Sequence, residues 1–258
     1  MNSQPEIIAH RGGLWPGMSE NTLEAFAAAH RAGVGWMETD VHASADGVLF
    51  AAHDADLDRI AERPHRIRDL PAVELDRIDL VAGGRLPRLN SLFDELPGAR
   101  WNIDVKAPHS IGPMIRTIRT AGAEERVRLA SFATSTLRHL RSGLPGIRTS
   151  AGTAETALFT LGALPGVPDR GLAPFPPGLD ALQVPRSFKG MPVVTAGFVE
   201  RAHAAGLLVH VWTVNDAAGM RALLDLGVDG LVTDDVMEGL KQLGEHSRPT
   251  DGPPENEE

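Results

Sequence analysis

Glu38 and Asp40 stand two apart in an otherwise largely apolar run, Trp36-Met37-Glu38-Thr39-Asp40-Val41. Side chains alternate faces along an extended strand, so both carboxylates point the same way. Two like charges aimed at one space repel each other unless a cation sits between them. The spacing therefore favours a hard divalent ion, Mg²⁺ or Ca²⁺, held by oxygen ligands. The plainer alternative, two acids ion-paired with Arg or Lys outside a core-facing strand, is the weaker reading. Asp104 and Lys106 repeat the spacing at the end of a second apolar run, Trp101 to Val105. They add a third carboxylate and a cation suited to a phosphate.

Two histidines follow short apolar runs in the same manner. His10-Arg11-Gly12-Gly13 comes directly after Glu6 to Ala9, and His53 comes after Val48 to Ala52 and just before Asp54. Either alone would more often be structural. Paired across a metal they could act as general acid and base, since histidine ordinarily titrates near neutrality. Trp212 ends the run Leu207 to Trp212 and is as much a core aromatic as a substrate wall. Asn215 and Asp234 follow later runs, and Asp234 either caps the last helix or orients a neighbour. His210 shares the face of Trp212 and points inward. His42, His65, His109, His139 and His203 show no ligand spacing and read as surface or packing residues.

These residues need a frame that brings many strand ends together. Short apolar runs predict strands at Glu6–Ala9, Trp36–Val41, Trp101–Val105, Arg126–Ala130, Ile147–Ser150, Ala181–Val184, Leu207–Trp212 and Gly230–Val232. Val48 to Ala52 is a further extended stretch. Amphipathic spacing predicts helices at Asn21–Ala32, Ile111–Ala121, Ser135–Arg141, Thr195–Ala205, Asp216–Leu226 and Val236–Leu243. Asn21 is the expected cap of the first helix, with Glu24 at the capping-box position. Leu23, Phe26, Ala27 and His30 share one of its faces. Eight strands alternating with helices in 258 residues point to one α/β domain. The expected fold is a single TIM (β/α)8 barrel, whose active site gathers at the C-terminal strand ends. A doubly wound sheet is disfavoured because no G-x-G-x-x-G follows the first strand. The barrel domain is placed at residues 1–245, with an irregular insertion after strand two at about 54–95. Residues 161–178 read as a loop and the polar stretch 246–258 as a disordered tail.

Composition narrows the field further. The chain has no cysteine, which excludes disulfides, thiolate metal sites and cysteine nucleophiles. A net charge of −9 argues against a nucleic-acid footprint. The first ten residues lack the pattern of a signal peptide, and no apolar run approaches the roughly 18 residues of a membrane span. A soluble cytoplasmic protein with a small-molecule substrate is the expectation.

Taken in order, these motifs resemble the glycerophosphodiester phosphodiesterase family. The resemblance rests on His10-Arg11-Gly12, Glu20-Asn21-Thr22-Leu23-Glu24-Ala25-Phe26, Glu38-Thr39-Asp40-Val41, Asp46-Gly47-Val48 and His53-Asp54. It resumes at Asn102-Ile103-Asp104-Val105-Lys106, Val211-Trp212-Thr213-Val214-Asn215 and Gly227 to Asp234, and so spans about residues 7 to 237. It implies a TIM barrel with a small insertion after strand two. It also implies a divalent metal on Glu38, Asp40 and Asp104, an acid–base pair of His10 and His53, and Arg11 and Lys106 near the phosphate. The implied reaction is hydrolysis of glycerophosphodiesters to glycerol 3-phosphate and an alcohol. The nucleophile is left open between water and the glycerol 2-hydroxyl. Two positions depart from the family pattern, where Glu is usual for Asp104 and Pro for Ser19. The shorter acid bears on metal choice and coordination; the related spider-toxin type phospholipase D barrels have Asp there. The rivals are therefore a phospholipase D-like activity on lysophospholipids or sphingolipids, and a non-catalytic phosphate-binding barrel. A metal-dependent amidohydrolase would want H-x-H on strand one, which is absent.

Overall fold

The computed structural model describes residues 4–161 and 175–247. Its centre is a closed ring of eight parallel strands. These are β1 (Glu6–Ala9), β2 (Trp36–Ala43), β3 (Arg100–Val105), β4 (Val127–Ala130), β5 (Arg148–Ser150), β6 (Leu179–Pro185), β7 (Leu208–Trp212) and β8 (Gly230–Thr233). Neighbours in sequence are neighbours in the ring, and β1 pairs with both β2 and β8. This is a TIM barrel. Around it lie α1 (Leu23–Arg31), α2 (Leu89–Glu95), α3 (Ile111–Ala121), α4 (Thr134–Gly143), α5 (Thr153–Leu161), α6 (Ala196–Ala204), α7 (Ala217–Asp225) and α8 (Val236–His246). The main apolar core fills the layer between ring and helices, where Val41, Ile103, Leu129, Val184, Val209 and Leu231 face outward. Among the described residues no helix is long and apolar enough to cross a membrane.

Several local details differ from the sequence reading. Thr22, not Asn21, caps α1: its Oγ1 accepts from the Ala25 amide at 3.3 Å. Asn21 takes a left-handed conformation at φ +56°, which its short polar side chain tolerates. Its Oδ1 accepts instead from Thr39 Oγ1 at 2.8 Å, tying the loop to β2. The buried face of α1 is Ala25, Phe26, Ala28 and Ala29, while Leu23, Ala27 and His30 are only half-buried. Helix α5 was not expected; Phe159 is its one buried side chain, so it lacks a clear apolar stripe. The proline-rich loop expected over 161–178 falls mostly outside the described residues, as does the expected tail beyond Ser247.

A short strand, Leu49–Ala51, runs antiparallel to the end of β2, pairing Val41 with Ala51 and Ala43 with Leu49. The chain thus turns back over the mouth and delivers His53 there. Beyond it, residues 54–88 wrap a small apolar cluster of their own, with Leu57, Ile67, Leu75 and Ile78 packed on Phe50 and Ala52.

The barrel interior is unusually polar and is built in levels along β2. Trp36, Glu38 and Asp40 point inward at successive heights, opposite Arg100, Asn102 and Asp104 of β3. At the floor, the guanidinium carbons of Arg128, Arg100 and Arg148 lie 4.6, 4.8 and 5.5 Å from the centre of the Trp36 ring. Arg128 is buried and donates twice to Asp180, Nε to Oδ1 at 2.9 Å and Nη2 to Oδ2 at 2.8 Å. Arg100 pairs with Glu6, and Arg148 donates to the Glu125 carbonyl. At mid-height Gln183 donates to Asn102 Oδ1 at 2.8 Å, beside His210. Burial, reinforced by nearby Arg128, pushes His210 well below the ordinary histidine range.

Candidate active site

The C-terminal ends of β1, β2, β3, β7 and β8 converge on one polar mouth. At the end of β1 the chain makes a tight turn through His10, Arg11 and Gly12. Gly12 has φ +87°, and a Cβ there would stand 3.0 Å from the Ala25 Cβ and the Phe26 amide. Only glycine lets this loop lie against α1, and that contact fixes His10 and Arg11 over the barrel axis.

His10 is backed by Asp234 from the end of β8. The His10 Nδ1–H donates to Asp234 Oδ1 at 2.7 Å, and Asn215 Nδ2 donates to Asp234 Oδ2 at 2.8 Å. Asn215 Oδ1 in turn accepts from the Asp234 amide and from Thr233 Oγ1. Asp234 therefore orients a neighbour; the cap of α8 is Asp235, which accepts from the Glu238 amide. Burial alone would raise the Asp234 pKa, but its hydrogen bonds from His10 and Asn215 outweigh burial and lower it.

His53 repeats the arrangement on the opposite side. Its Nδ1–H donates to Asp54 Oδ1 at 2.8 Å, and its carbonyl accepts from His42 Nε2 at 3.1 Å. His42 is thus a buried packing residue that anchors a site residue; burial lowers its pKa. In both His–Asp pairs the carboxylate fixes the tautomer, leaving Nε2 as the free nitrogen. His10 Nε2 lies 4.0 Å from Glu38 Oε2.

The three acids expected as metal ligands, Glu38, Asp40 and Asp104, are all buried at this mouth. Burial and the neighbouring Asp40 and Asp104 push Glu38 well above the usual carboxylate range, against the opposing amide of Arg11. Asp104 is also raised by burial, although Lys106 pulls the other way. Lys106 Nζ sits between Asp40 Oδ1 at 2.7 Å and Asp104 Oδ2 at 2.8 Å. Burial alone would lower the Lys106 pKa, but these two carboxylates outweigh it and raise it. Arg11 is likewise turned onto acids, with its Nε 3.3 Å from Asp40 Oδ2 and its Nη1 3.1 Å from Glu20 Oε1.

Does this set suit a divalent cation? Among the described residues no three such side chains close into a coordination sphere as they stand. Yet Asp40 Oδ2 and Asp104 Oδ1 are buried without a hydrogen bond, and burial, aided by the neighbouring carboxylates, raises Glu38 and Asp104. Three hard oxygen donors fit Mg²⁺ or Ca²⁺, provided Lys106 swings away.

Trp212 is half-buried at the end of β7, and the exposed Phe132 meets it edge-on at 6.1 Å between ring centres. Lys106 Nζ lies 5.8 Å from the Phe132 ring centre. The mouth therefore has polar groups from β1 to β3 and from the loops after β7 and β8, and an aromatic patch of Trp212 and Phe132. Sequence reasoning left the role of Asp234 open and missed those of Asp54, Asn215 and Phe132. Adjacency to His53 was a signal for Asp54, but nothing local marked Phe132.

Most of the chain is similar to known proteins. Residues 10–238 match the model of the glycerophosphoryl diester phosphodiesterase family. A Mycobacterium tuberculosis protein named "Probable glycerophosphodiester phosphodiesterase 2" is 36% identical over 229 residues, covering 88% of this chain and 86% of its own. The crystal structure of a glycerophosphodiester phosphodiesterase from Agrobacterium tumefaciens superposes with a TM-score of 0.75 at 23% identity, covering 93% of this chain and 99% of the other. A phosphodiesterase of Oleispira antarctica, solved with the product sn-glycerol-3-phosphate, gives a TM-score of 0.75 at 22% identity over 93% of this chain and 97% of that one. At such identities the two structures speak for the fold alone.

Proposed function

The chain belongs to the glycerophosphoryl diester phosphodiesterase family, and from that premise we propose that it hydrolyses glycerophosphodiesters to glycerol 3-phosphate and an alcohol by His10/His53 acid–base catalysis. The observation that carries this reading is the pair of carboxylate-backed histidines flanking one nest of three buried acids. Glu38, Asp40 and Asp104 would hold a divalent cation, which when bound offsets phosphate charge and makes a hydroxyl easier to deprotonate.

The remaining work falls to side chains. One histidine, neutral and with Nε2 free, accepts the proton of the attacking hydroxyl. The other, carrying both protons, gives one from Nε2 to the leaving alcohol. Asp234 and Asp54 fix the tautomers and stabilise the charged ring in each case, as the carboxylate does in a serine-protease triad. Arg11 and Lys106, now on carboxylates, are placed to turn toward a phosphate. Trp212 and Phe132 would wall the side on which the glycerol or the alcohol lies.

A screen of glycerophosphodiesters with different head groups, run with Mg²⁺, Ca²⁺ or chelator, tests the proposal. Release of glycerol 3-phosphate that stops on chelation is expected, and turnover that survives chelation would remove the metal from it. In isotopically labelled water the label should appear on phosphate. Label in the released alcohol would mean C–O cleavage and would sink a mechanism centred on phosphorus.

A further inference from the structure

The half-exposed Arg59 lies on a four-residue helical turn, Asp58–Ala61, inside the segment that follows β2. It does not reach the mouth centre, yet it joins two of its walls. Its Nε donates to Asp54 Oδ2 at 2.6 Å, and its Nη2 donates to Glu20 Oε1 at 2.6 Å. Asp54 uses its other oxygen to hold His53. Glu20 Oε1 also accepts from Arg11 Nη1 at 3.1 Å. A continuous chain of ionic hydrogen bonds thus runs His53–Asp54–Arg59–Glu20–Arg11.

We infer that Arg59 is a positioning residue, which fixes the His53–Asp54 pair against the Glu20 loop and so sets the distance of His53 from the reacting phosphate. The inference rests on the acid–base reading of His53 given above. His53 needs such a brace because its own loop leaves it exposed: its side chain is 37% accessible, against 18% for His10. His10 has Asp234 locked by Asn215, which donates to its Oδ2 and accepts from its amide. Asp54 has no such lock among the described residues, and Arg59 takes that place. The fork of the guanidinium is what allows it. Two nitrogens at fixed spacing reach two acids from different loops, which a lysine point charge cannot do equally well. An ordinary exposed ion pair at this position would contribute little to stability and nothing to turnover.

The test compares Arg59→Met, Arg59→Lys, His53→Ala and the double variant Arg59→Met/His53→Ala in the full chain, with glycerophosphocholine and metal. Arg59→Met should lower kcat about 10–100-fold, the scale of a misplacement near 1 Å, with KM within about threefold and the melting temperature unchanged. Arg59→Lys should recover part of the loss. In the His53→Ala background the Arg59 change should add nothing, because both act through one ring. Wild-type kcat in Arg59→Met beside a crippled His53→Ala would overturn this inference alone. So would a full further loss in the double variant. An active His53→Ala would overturn the acid–base reading and the inference with it.

Discussion

At the floor of the barrel Arg100, Arg128 and Arg148 press on the Trp36 ring, and each is closed off by an acid or a carbonyl. At the mouth Glu38, Asp40 and Asp104 crowd around Arg11 and Lys106, and two carboxylate oxygens are left without a hydrogen bond. Both ends gather charge in the same ring of strands, although at the floor only Arg128 is buried. The floor matches its charges with partners and ring faces, leaving only Arg128 Nη1 of its buried nitrogens without a hydrogen bond, which is how its one buried arginine is made tolerable. The mouth sets three buried acids against two cations; burial first, and the neighbouring carboxylates after it, raise Glu38 and Asp104, and a positive charge arriving there would favour their ionised forms. On the proposed mechanism the crowded acids mark the end that works and the partnered arginines the end that holds.

The strongest way to break this comparison is to remove the mouth histidines. His10→Ala and His53→Ala should each lower turnover by about 10²-fold or more, while thermal unfolding stays near that of the wild type. Unfolded variants would assign both rings to structure instead. The floor should answer in the opposite way. Asp180→Asn strands the buried Arg128 charge and should lower stability by about 3 kcal/mol, the low end for a broken buried pair because Asp180 is a quarter exposed. Its kcat, measured well below the unfolding transition, should be unchanged; a large fall in kcat would mean that the floor is coupled to catalysis.

Glu38→Gln sharpens the contrast, because it should abolish activity and yet stabilise the protein. A carboxyl whose pKa is raised on folding favours the native state as pH falls and opposes it above that pKa. At neutral pH and in chelator, replacing Glu38 with a neutral isostere removes the opposition. A gain of about 0.5–2 kcal/mol is expected by chemical denaturation, the usual size of a stability–activity trade. A destabilised variant would show that the mouth acids are balanced after all.

The smallest effect belongs to His210, between the two ends. Its pKa is lowered on folding, so its contribution is complete above the unfolded value near about 6.5 and is lost as pH falls below it. His42 acts with the same sign. Stability should therefore decline between about pH 6.5 and 5, and His210→Gln should make the decline shallower without removing it. An unchanged slope would show that His210 is not kept neutral.

Much of this contrast was legible in the chain and some was not. The mouth acids show because i, i+2 carboxylates in an apolar strand are conspicuous, and Asp40 and Asp104 do share one level of the ring, with Glu38 one level deeper and 4.0 Å from His10. The floor could not be read that way. Arg100, Arg128 and Arg148 stand first or second in three separate strands, and only barrel closure brings them onto Trp36. The cap of α1 was misplaced because Asn21 and Thr22 are both good caps. What decides between them is a left-handed turn and a hydrogen bond to Thr39, neither of which is local information. Helix α5 escaped notice because a helix that buries one side chain leaves almost no periodic trace.

His10 and Asp234 are 224 positions apart, on the first and last strands of the ring, and they meet at 2.7 Å only when β1 docks on β8. A ribosome adding about 5–20 residues per second delivers the second partner roughly 11–45 seconds after the first. Throughout that interval the nascent chain holds its acids and one histidine without the Asp234 partner that orients it. On the proposed mechanism hydrolytic power therefore arrives late and all at once, with the final strand. The first turnover is a report that the ring has shut.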